Sequence, residues 1–333
     1  MCRLILAPMA TLSHEAFRMA VEEFGGADEY FTEMIHAPSL ITMGPYEKYY
    51  LLDGPVPEKI VWQLTGTNAE SLADAARIVA EKDGIGIDLN MGCSAPQIYK
   101  TGAGISWMLK PVSETSRMVS AVKKVLDEYQ DKSGIHKRLS VKCRLGADDF
   151  KDDDFFSFCD MLVDNGVECI TLHPRTIKEK LRGLPRYEYA ERLALRHPEI
   201  DVYVNGEIKD VQSAKRAVEK VPHAKGLMVA RMAAQKPWIF AQLRHGLDGS
   251  GPDSLTVDAK KLALDFIQDI QERQPKEFYR TRIQRFFSYY CDNFSFGHYF
   301  KMQLLNYHSI EECIEKINSY FEKCPDDMFI KVY

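Results

Sequence analysis

The sequence lacks several patterns that would place it in common protein classes. It has eight cysteines in 333 residues but no C-x-x-C pair, so neither a zinc site nor a disulfide framework is indicated. Its longest apolar runs are the length of a strand, well short of the ~20 residues needed to cross a bilayer. No charged-then-apolar leader precedes the first predicted strand. We therefore expect a metal-free protein of the reducing cytoplasm with no membrane partner.

A strong excess of basic residues is also missing. Lysine and arginine total 43 against 48 acidic residues, a net charge of −5, which argues against a protein that coats nucleic acid through its overall field. A local basic patch stays compatible with this charge. With 45% hydrophobic and 27% charged residues, the composition is that of a soluble globular protein and excludes a collagen, a coiled-coil rod and a disordered tail. Length alone allows either one large barrel or two domains.

What the sequence does contain is a regular alternation of strands and helices. Amphipathic stretches with helical period separate many of the apolar runs, for example at 69–81, 115–129, 154–165 and 211–220. Strands that alternate with helices indicate a parallel sheet. Eight units over about 245 residues fit a (β/α)8 TIM barrel, whereas an open doubly wound sheet more often has five to seven strands. The eight predicted strands are 3–7, 29–32, 59–64, 86–90, 139–144, 169–173, 202–205 and 226–230.

The pattern changes after the eighth unit. Residues 236–245 predict a last barrel helix, and the polar, glycine-rich segment 246–252 is typical of a domain break. The remainder has almost no strand signal. We therefore predict two domains, a catalytic barrel over 1–245 and a small all-α helical domain over 253–333. Its predicted helices are 258–271, 278–291, 298–305 and 310–323.

The ends of the predicted strands locate a candidate site, because the carboxyl ends of barrel strands surround the active site. The loops after strands 7 and 8, at 205–208 and 230–231, occupy the usual phosphate position of such barrels. Lys142 and His173 on neighbouring strands add positive or polarising groups suited to the pyrimidine end of an anionic reduced flavin. This combination predicts FMN as cofactor.

Cys93 follows the fourth strand in the segment NMGCSAP. A cysteine thiol is mostly protonated at neutral pH and can act as a general acid. The alternative of a thiolate nucleophile is weaker because the segment supplies no obvious base. Free cysteines are usually small buried hydrophobic residues, and we apply that interpretation to the other seven.

Taken together, these segments resemble the tRNA-dihydrouridine synthases over nearly the whole chain. One such motif is weak evidence, but so many in one order is strong. The matching segments are LAPMA (6–10) with Phe17 and Arg18 after it, TEM (32–34), QLTG (63–66), IDLNMGC (87–93), KTGAG (100–104), VKCRLG (141–146), HPRT (173–176) and VNGEI (204–208).

The resemblance implies an FMN-bearing barrel, a helical domain that holds tRNA, and reduction of a uridine to dihydrouridine with NADPH as reductant. Cys93 would protonate C5 of the uracil ring after hydride reaches C6 from reduced flavin N5. Asn90 would hydrogen-bond an extruded base, and Arg175 would contact the base or neighbouring RNA. The residues implied to contact FMN are Pro8, Met9, Ala10, Gln63, Lys142, His173, Asn205, Gly206, Glu207, Ala230 and Arg231.

Several positions depart from the family pattern and indicate a divergent member. Ser94 stands where proline commonly follows the cysteine, and Trp107 and Met108 follow KTGAG in place of small and aliphatic residues. Ala230 replaces the usual glycine before the strand-8 arginine, and HPRT replaces the more frequent His-Gly-Arg-Thr.

The segment YRTRIQRFFSYY, residues 279–290, contains Arg280, Arg282 and Arg285 among aromatic side chains. A solvated helix face over an aromatic core explains most such stretches. Arginine with aromatics is also typical of RNA recognition, and the family resemblance favours that interpretation. We therefore predict that these three arginines bind tRNA.

Two other functions share parts of this pattern. An FMN-dependent reductase of a free small pyrimidine or enone would have the same barrel, and a non-catalytic RNA-binding scaffold would keep the tail. The basic tail segment disfavours the first, and Cys93, Lys142 and His173 disfavour the second. NADPH rests on the resemblance alone, since no G-x-G-x-x-G motif follows a strand. We expect a monomer.

Overall fold

Runs of aliphatic and β-branched residues form nine strands that pair in parallel. The structure, a computed structural model, describes residues 2–333. The strands are β1 (Arg3–Leu6), β2 (Glu29–Phe31), β3 (Ile35–His36), β4 (Ile60–Thr65), β5 (Gly86–Met91), β6 (Arg138–Cys143), β7 (Cys169–Leu172), β8 (Asp201–Asn205) and β9 (Gly226–Val229).

These strands close into a barrel. Each of β4 to β8 pairs with the next strand, β9 pairs with β1, β1 with β2, and β2 with β4, which completes the ring. The eight predicted strands and the TIM-barrel fold are confirmed. The short β3 was not predicted: after leaving β2 the chain pairs again with the end of β4, Ile35 opposite Leu64. It extends the ring at the carboxyl end of the strands.

Helices cover the outside of the barrel, as the 3.6-residue period predicts. Their ends follow capping chemistry: the Asn68 side chain accepts from Ser71 N at the start of α4, and Asp210 with Ser213 forms a capping box at the start of α9. The helices of this region are α1 (Glu15–Glu22), α2 (Ala37–Ile41), α3 (Glu47–Tyr50), α4 (Ala69–Ala80), α5 (Pro96–Tyr99), α6 (Val112–Ser133), α7 (Asp152–Asp164), α8 (Tyr187–Arg196), α9 (Val211–Lys220), α10 (Arg231–Gln235) and α11 (Ile239–Asp248).

The remaining residues form a helical region with one feature the sequence did not predict. Thr256–Asp258 (β10) and Phe329–Lys331 (β11) pair antiparallel, so both ends of this region are joined by a two-stranded sheet. Its four predicted helices are confirmed, with shifts of a few residues at some ends. They are α12 (Ala259–Arg273), α13 (Lys276–Tyr290), α14 (Gly297–Leu305) and α15 (Ile310–Lys323).

Aromatic side chains pack the helical region against the barrel. Phe286 of α13 stacks on Phe266 of α12 at 3.9 Å between ring centroids and meets Phe17 of α1 edge-on at 6.2 Å. These rings belong to one buried apolar cluster that continues beneath the barrel helices. Helix α11 continues to Asp248, past the predicted boundary at 245. Among residues 2–333, every helix is too short or too polar to cross a bilayer.

The interior of the barrel changes character from one end to the other. Midway, Ile5, Phe31, Val61 and Met228 form a small apolar layer. Below it, at the amino ends of the strands, charged side chains are paired with one another. Above it, polar side chains face the loops that follow the strands, and the apolar layer separates this upper group from the lower one.

Candidate active site

Most of the predicted site residues meet around two adjoining cavities at the carboxyl ends of the strands. The mouth cavity has a volume of about 300 Å³ and the side cavity about 350 Å³, and His173 lines both. The predicted residues that line the mouth cavity are Pro8, Ala10, Gln63, Asn90, Cys93, Lys142 and His173. Those that line the side cavity are His173, Arg175, Asn205, Gly206, Glu207, Ala230 and Arg231.

A chain of side-chain amides leads from the barrel interior to Cys93. Asp88 accepts a hydrogen bond from Gln63 Nε2 at 2.7 Å, and Gln63 Oε1 accepts from Asn90 Nδ2 at 2.8 Å. Asn90 Oδ1 in turn accepts from the backbone N–H of Cys93 at 3.0 Å. The Asp88 carboxylate can only accept when ionised, so it fixes the orientation of both amides. Asn90 therefore positions the cysteine loop, a role that sequence analysis did not foresee.

The loop that carries Cys93 is closed by a glycine. Ile105 N donates to the Cys93 carbonyl oxygen at 3.1 Å. Gly104, just before it, has φ +60°, and a Cβ at this position would lie 2.6 Å from that same oxygen. Only glycine fits such a close approach with positive φ. Gly104, the second glycine of the KTGAG segment, thus allows the close backbone contact that keeps the half-buried Cys93 at the cavity wall.

Lys142 presents an unpaired charge to the mouth cavity. Its ammonium has no hydrogen bond or ion pair to any residue from 2 to 333. Burial, with the Arg144 guanidinium beside it, lowers the pKa of Lys142 from 10.5 to about 8. An amine this poorly compensated within the protein is suited to an anionic ligand group.

His173 is a neutral imidazole. Burial, followed by the positive charges of Lys142 and Arg144, lowers the pKa of His173 from 6.5 to about 2. Its Nε2 lies 3.0 Å from Arg175 Nη1, and because a guanidinium can only donate, Nε2 is the acceptor. The remaining ring proton is therefore on Nδ1, so His173 is a polarising group and not a cation.

The side cavity combines the unpaired side chain of Arg231 with the backbone of Gly206, which no side chain covers. The Arg231 side chain is exposed and makes no hydrogen bond or ion pair to the residues the structure describes. Gly206 has φ +128°, and a Cβ there would lie 3.2 Å from the His173 ring. Because Gly206 has no side chain, a ligand can reach the backbone between this residue and the His173 ring. These features suit a phosphate group, as predicted for the loops that follow β8 and β9, the seventh and eighth predicted strands.

Arg175 is buried between the two loops of the side cavity. It is 1% exposed, and its Nη2 donates to Gly183 O at 2.6 Å and to Glu207 Oε1 at 3.1 Å. Arg175 thus holds both loops in place. Met9, a predicted FMN contact, packs against the apolar layer inside the barrel and lines neither cavity.

The structure corrects the prediction for Arg282. This side chain is 2% exposed, and its Nη1 donates to Glu33 Oε2 at 2.5 Å in an ion pair. Its neighbours four residues away on α13 are Phe278 and Phe286, so it lies on the stripe that faces the barrel. Arg282 is therefore not available to RNA, whereas Arg280 and Arg285 are exposed on the same helix.

The buried Arg282 instead joins the helical region to the segment that follows β1. Glu33, two residues after β2, accepts from Arg282 through one carboxylate oxygen and from Thr11 N at 2.6 Å through the other. Thr11 directly follows the segment Pro8–Met9–Ala10 and has φ +63°. The ion pair therefore stabilises the conformation of that segment.

Arg144 is a site residue that the predicted set omitted. It lines the mouth cavity, and its Nε donates to the carbonyl oxygen of Gly92, next to Cys93, at 3.0 Å. The alternation of strand β6 already indicated it, because Lys142 and Arg144 flank the outward-facing Cys143. No group of side chains within 2–333 has the arrangement of a metal site.

A family model described as Dihydrouridine synthase (Dus) matches residues 5–323. A probable tRNA-dihydrouridine synthase of Aquifex aeolicus (strain VF5) is 31% identical over 249 residues, 73% of either chain. The tRNA-dihydrouridine synthase B of Escherichia coli (strain K12) is 27% identical over 324 residues, 96% of either chain.

Solved structures share the fold at much lower identity. A 2-naphthoyl-CoA reductase superposes with a TM-score of 0.54 at 10% identity, over 73% of this chain and 50% of that chain. Morphinone reductase superposes with a TM-score of 0.50 at 10% identity, over 75% of this chain and 87% of that chain. At such identities the likeness shows the barrel fold alone.

Proposed function

The chain belongs to the dihydrouridine synthase family, and on that premise we propose that it reduces a uridine of tRNA to 5,6-dihydrouridine. The names of the relatives from Aquifex aeolicus and Escherichia coli support this substrate. The observation that carries the proposal is the meeting of Cys93, Lys142 and His173 around one cavity at the barrel mouth.

We propose FMN as the resident cofactor, and the residues of both cavities fit it. The side cavity offers Arg231 and the open backbone at Gly206 to a phosphate. The mouth cavity offers the unpaired Lys142 ammonium and the neutral His173 ring to the polar edge of an isoalloxazine. When bound and reduced, FMN supplies hydride to C6 of the uracil ring.

Cys93 then serves as the proton donor. Its thiol gives a proton to C5 as negative charge develops toward C5 and O4, which is general acid catalysis. The amide chain from Asp88 through Gln63 and Asn90 holds the cysteine loop while this occurs. The second N–H of Asn90 Nδ2 is left for the base, and Arg175 acts from within the protein by fixing the loops.

NADPH is proposed as the reductant, on the family resemblance.

A uridine stacked within folded tRNA cannot reach the mouth cavity, so the base must be extruded. We propose that the helical region, residues 253–333, forms a tRNA-binding domain beside the barrel of residues 1–245. Arg285 lies over the Tyr289 ring, 5.2 Å from its centroid, and Tyr289 lines the side cavity. Arg280 and Arg285 are thus the exposed tail cations proposed to contact tRNA.

A deletion strain tests the function in the cell. Mass spectrometry of its tRNA, site by site, should show loss of dihydrouridine at one or more positions, restored by the intact gene but not by a Cys93→Ala copy. Unchanged dihydrouridine at every position, in a strain without a second family member, would contradict the proposal. Purified protein should also be yellow from bound FMN. Failure to bind FMN would contradict the proposed reduction of uridine by a flavin.

A further inference from the structure

The loop between β7 and α8 carries a concentration of positive charge that the proposed function has not used. Residues 177–186 read IKEKLRGLPR and hold four basic residues against one acidic residue. In a chain with net charge −5 this is a marked local excess. We call this segment, 177–186, the basic loop.

Most of the charge on the basic loop is free. Arg186 pairs with Glu179 at 2.6 Å. The side chains of Lys178, Lys180 and Arg182 are exposed and have no ion pair with any residue that the structure describes. Three unpaired cations on one short loop complement a polyanion such as RNA.

The same loop exposes two leucines. Leu184 is 83% exposed and Leu181 is 46% exposed, and Leu181 also lines the side cavity together with His173. A single exposed leucine is ordinary on a protein surface. Two leucines beside three free cations at the rim of the site form a surface that is both apolar and basic.

Two arginines of the site hold the loop above the cavities. Arg144 Nη1 donates to Lys180 O at 2.9 Å and to Thr176 O at 3.3 Å. Arg175 Nη2 donates to Gly183 O, directly before Leu184. Both arginines line a cavity, so the position of the loop is set by the site itself.

We propose that the basic loop binds the RNA around the extruded uridine. The phosphates next to that nucleotide contact Lys178, Lys180 and Arg182. Leu184 fills the space that the extruded uracil leaves in the base stack. Apolar side chains inserted between bases stabilise unstacked nucleic acid in this way. The inference rests on the proposed function, since it requires a base to leave its stack and enter the mouth cavity.

The first test removes the charges of the loop. In the triple variant Lys178→Gln, Lys180→Gln, Arg182→Gln, tRNA binding should weaken at least tenfold at low salt. The slope of log K against log salt should become shallower by about 2, since each phosphate contact contributes about 0.7 to 0.9. KM for tRNA should rise while kcat changes little.

The matched control removes the same charge at the other end of the barrel. Lys132, Lys220 and Lys225 are exposed, and they lie at helix ends and before a strand start. The triple variant Lys132→Gln, Lys220→Gln, Lys225→Gln should keep the affinity and the salt slope within a factor of two. Equal behaviour of the two triple variants would overturn the proposal.

The second test removes the apolar tip. Leu184→Ser should lower kcat on tRNA roughly tenfold with little change in KM, because a wedge acts on the extruded state and 1.36 kcal/mol corresponds to a factor of ten. Leu195→Ser, at a 55% exposed position on α8, is the control. An unchanged kcat in Leu184→Ser would remove the wedge role. Reduction of bound flavin by NADPH without tRNA verifies that each variant is folded.

Direct binding separates failure of the loop from failure of the function. If wild-type protein forms no dihydrouridine in any tRNA, the proposed function fails and the loop proposal fails with it. If wild-type protein is active while the loop triple variant binds tRNA like the control triple variant, the loop proposal alone is overturned. Weaker binding and a shallower salt slope in the loop triple, with the predicted loss in kcat for Leu184→Ser, support it.

Discussion

The two ends of the barrel both collect charged side chains, but they treat charge in opposite ways. At the amino ends of the strands, Arg138 donates to both oxygens of Glu29, at 2.9 and 2.5 Å, and Tyr203 donates to Glu29 at 2.6 Å. At the carboxyl ends, Lys142 and Arg231 have no ion pair within residues 2–333. The charges at the amino ends are paired with one another, whereas the carboxyl ends keep these two cations unpaired beside the paired Arg175 and Arg282.

The difference shows what each cluster contributes. Charges that satisfy one another inside a protein support the fold, and breaking one partner leaves an uncompensated buried charge. A half-buried charge without a partner costs stability and is typical of a binding site. The charge cluster at the amino ends of the strands therefore supports the fold. The unpaired cations at the carboxyl ends lie where we propose that the anionic cofactor binds.

The largest expected effect lies at the mouth. Cys93→Ala should lower turnover of tRNA by about 10²–10⁴-fold, the usual contribution of a general acid. FMN content and the rate of flavin reduction by NADPH should stay at wild-type levels, which absorbance spectra and stopped-flow measurements check. Normal turnover of tRNA by this variant would rule out Cys93 as the proton donor.

The next largest effect should come from the charge cluster at the amino ends of the strands, and it should change the free energy of unfolding and not kcat. Arg138→Met removes the bidentate partner of the buried Glu29 and should lower the free energy of unfolding by about 3 kcal/mol, since Arg3 and Tyr203 still contact that carboxylate. The double variant Arg138→Met, Glu29→Gln should recover part of that loss. Denaturant titration of the three proteins measures this. If Arg138→Met instead lowered kcat at unchanged stability, the two ends would not differ as described.

Lys142→Met should move stability and binding in opposite directions. Removal of the unpaired charge should raise the free energy of unfolding of the FMN-free protein by about 0.5–2 kcal/mol. Affinity for FMN, measured by fluorescence titration, should fall, because the cofactor loses its cationic partner. A variant that is both less stable and unaltered in FMN binding would assign Lys142 to the structure.

The smallest expected effect is a pH dependence. The pKa of Lys142 is lowered from 10.5 to about 8 in the folded protein, so between these values the unfolded chain binds more protons than the folded one. Stability of the FMN-free protein should therefore gain from this group as pH rises from 8 to 10.5. The difference in unfolding free energy between Lys142→Met and wild type should narrow over that range. A constant difference would show that the Lys142 pKa is not depressed.

The fold was largely predictable because its signals are local. Apolar strands alternating with helical periods indicate a barrel whatever the loops contain, and the capping residues Asn68 and Asp210 start α4 and α9 where the period begins. The strand β3 and the β10–β11 pair were missed, since segments of two or three residues carry no periodicity. Their pairing depends on where the rest of the chain has already placed them.

The site was predictable only in part. Cys93, Lys142 and His173 follow from the rule that strand ends face the site. Arg282 was misassigned because α13 has aromatics on several faces, and only tertiary packing shows which face meets Glu33. The amide chain from Asp88 to Cys93 joins β5 to β4 through side chains, and no spacing in the sequence specifies such contacts. The neutral state of His173 likewise depends first on its burial and then on neighbouring charges, both of which are set by tertiary packing.

The most direct test of the account is turnover by the purified protein. tRNA from the deletion strain is incubated with protein, FMN and NADPH, and nucleoside mass spectrometry follows uridine and dihydrouridine at each position. We predict conversion of a defined uridine, with one NADPH oxidised per dihydrouridine formed. Protein that binds FMN and oxidises NADPH yet converts no uridine in any tRNA would contradict the account.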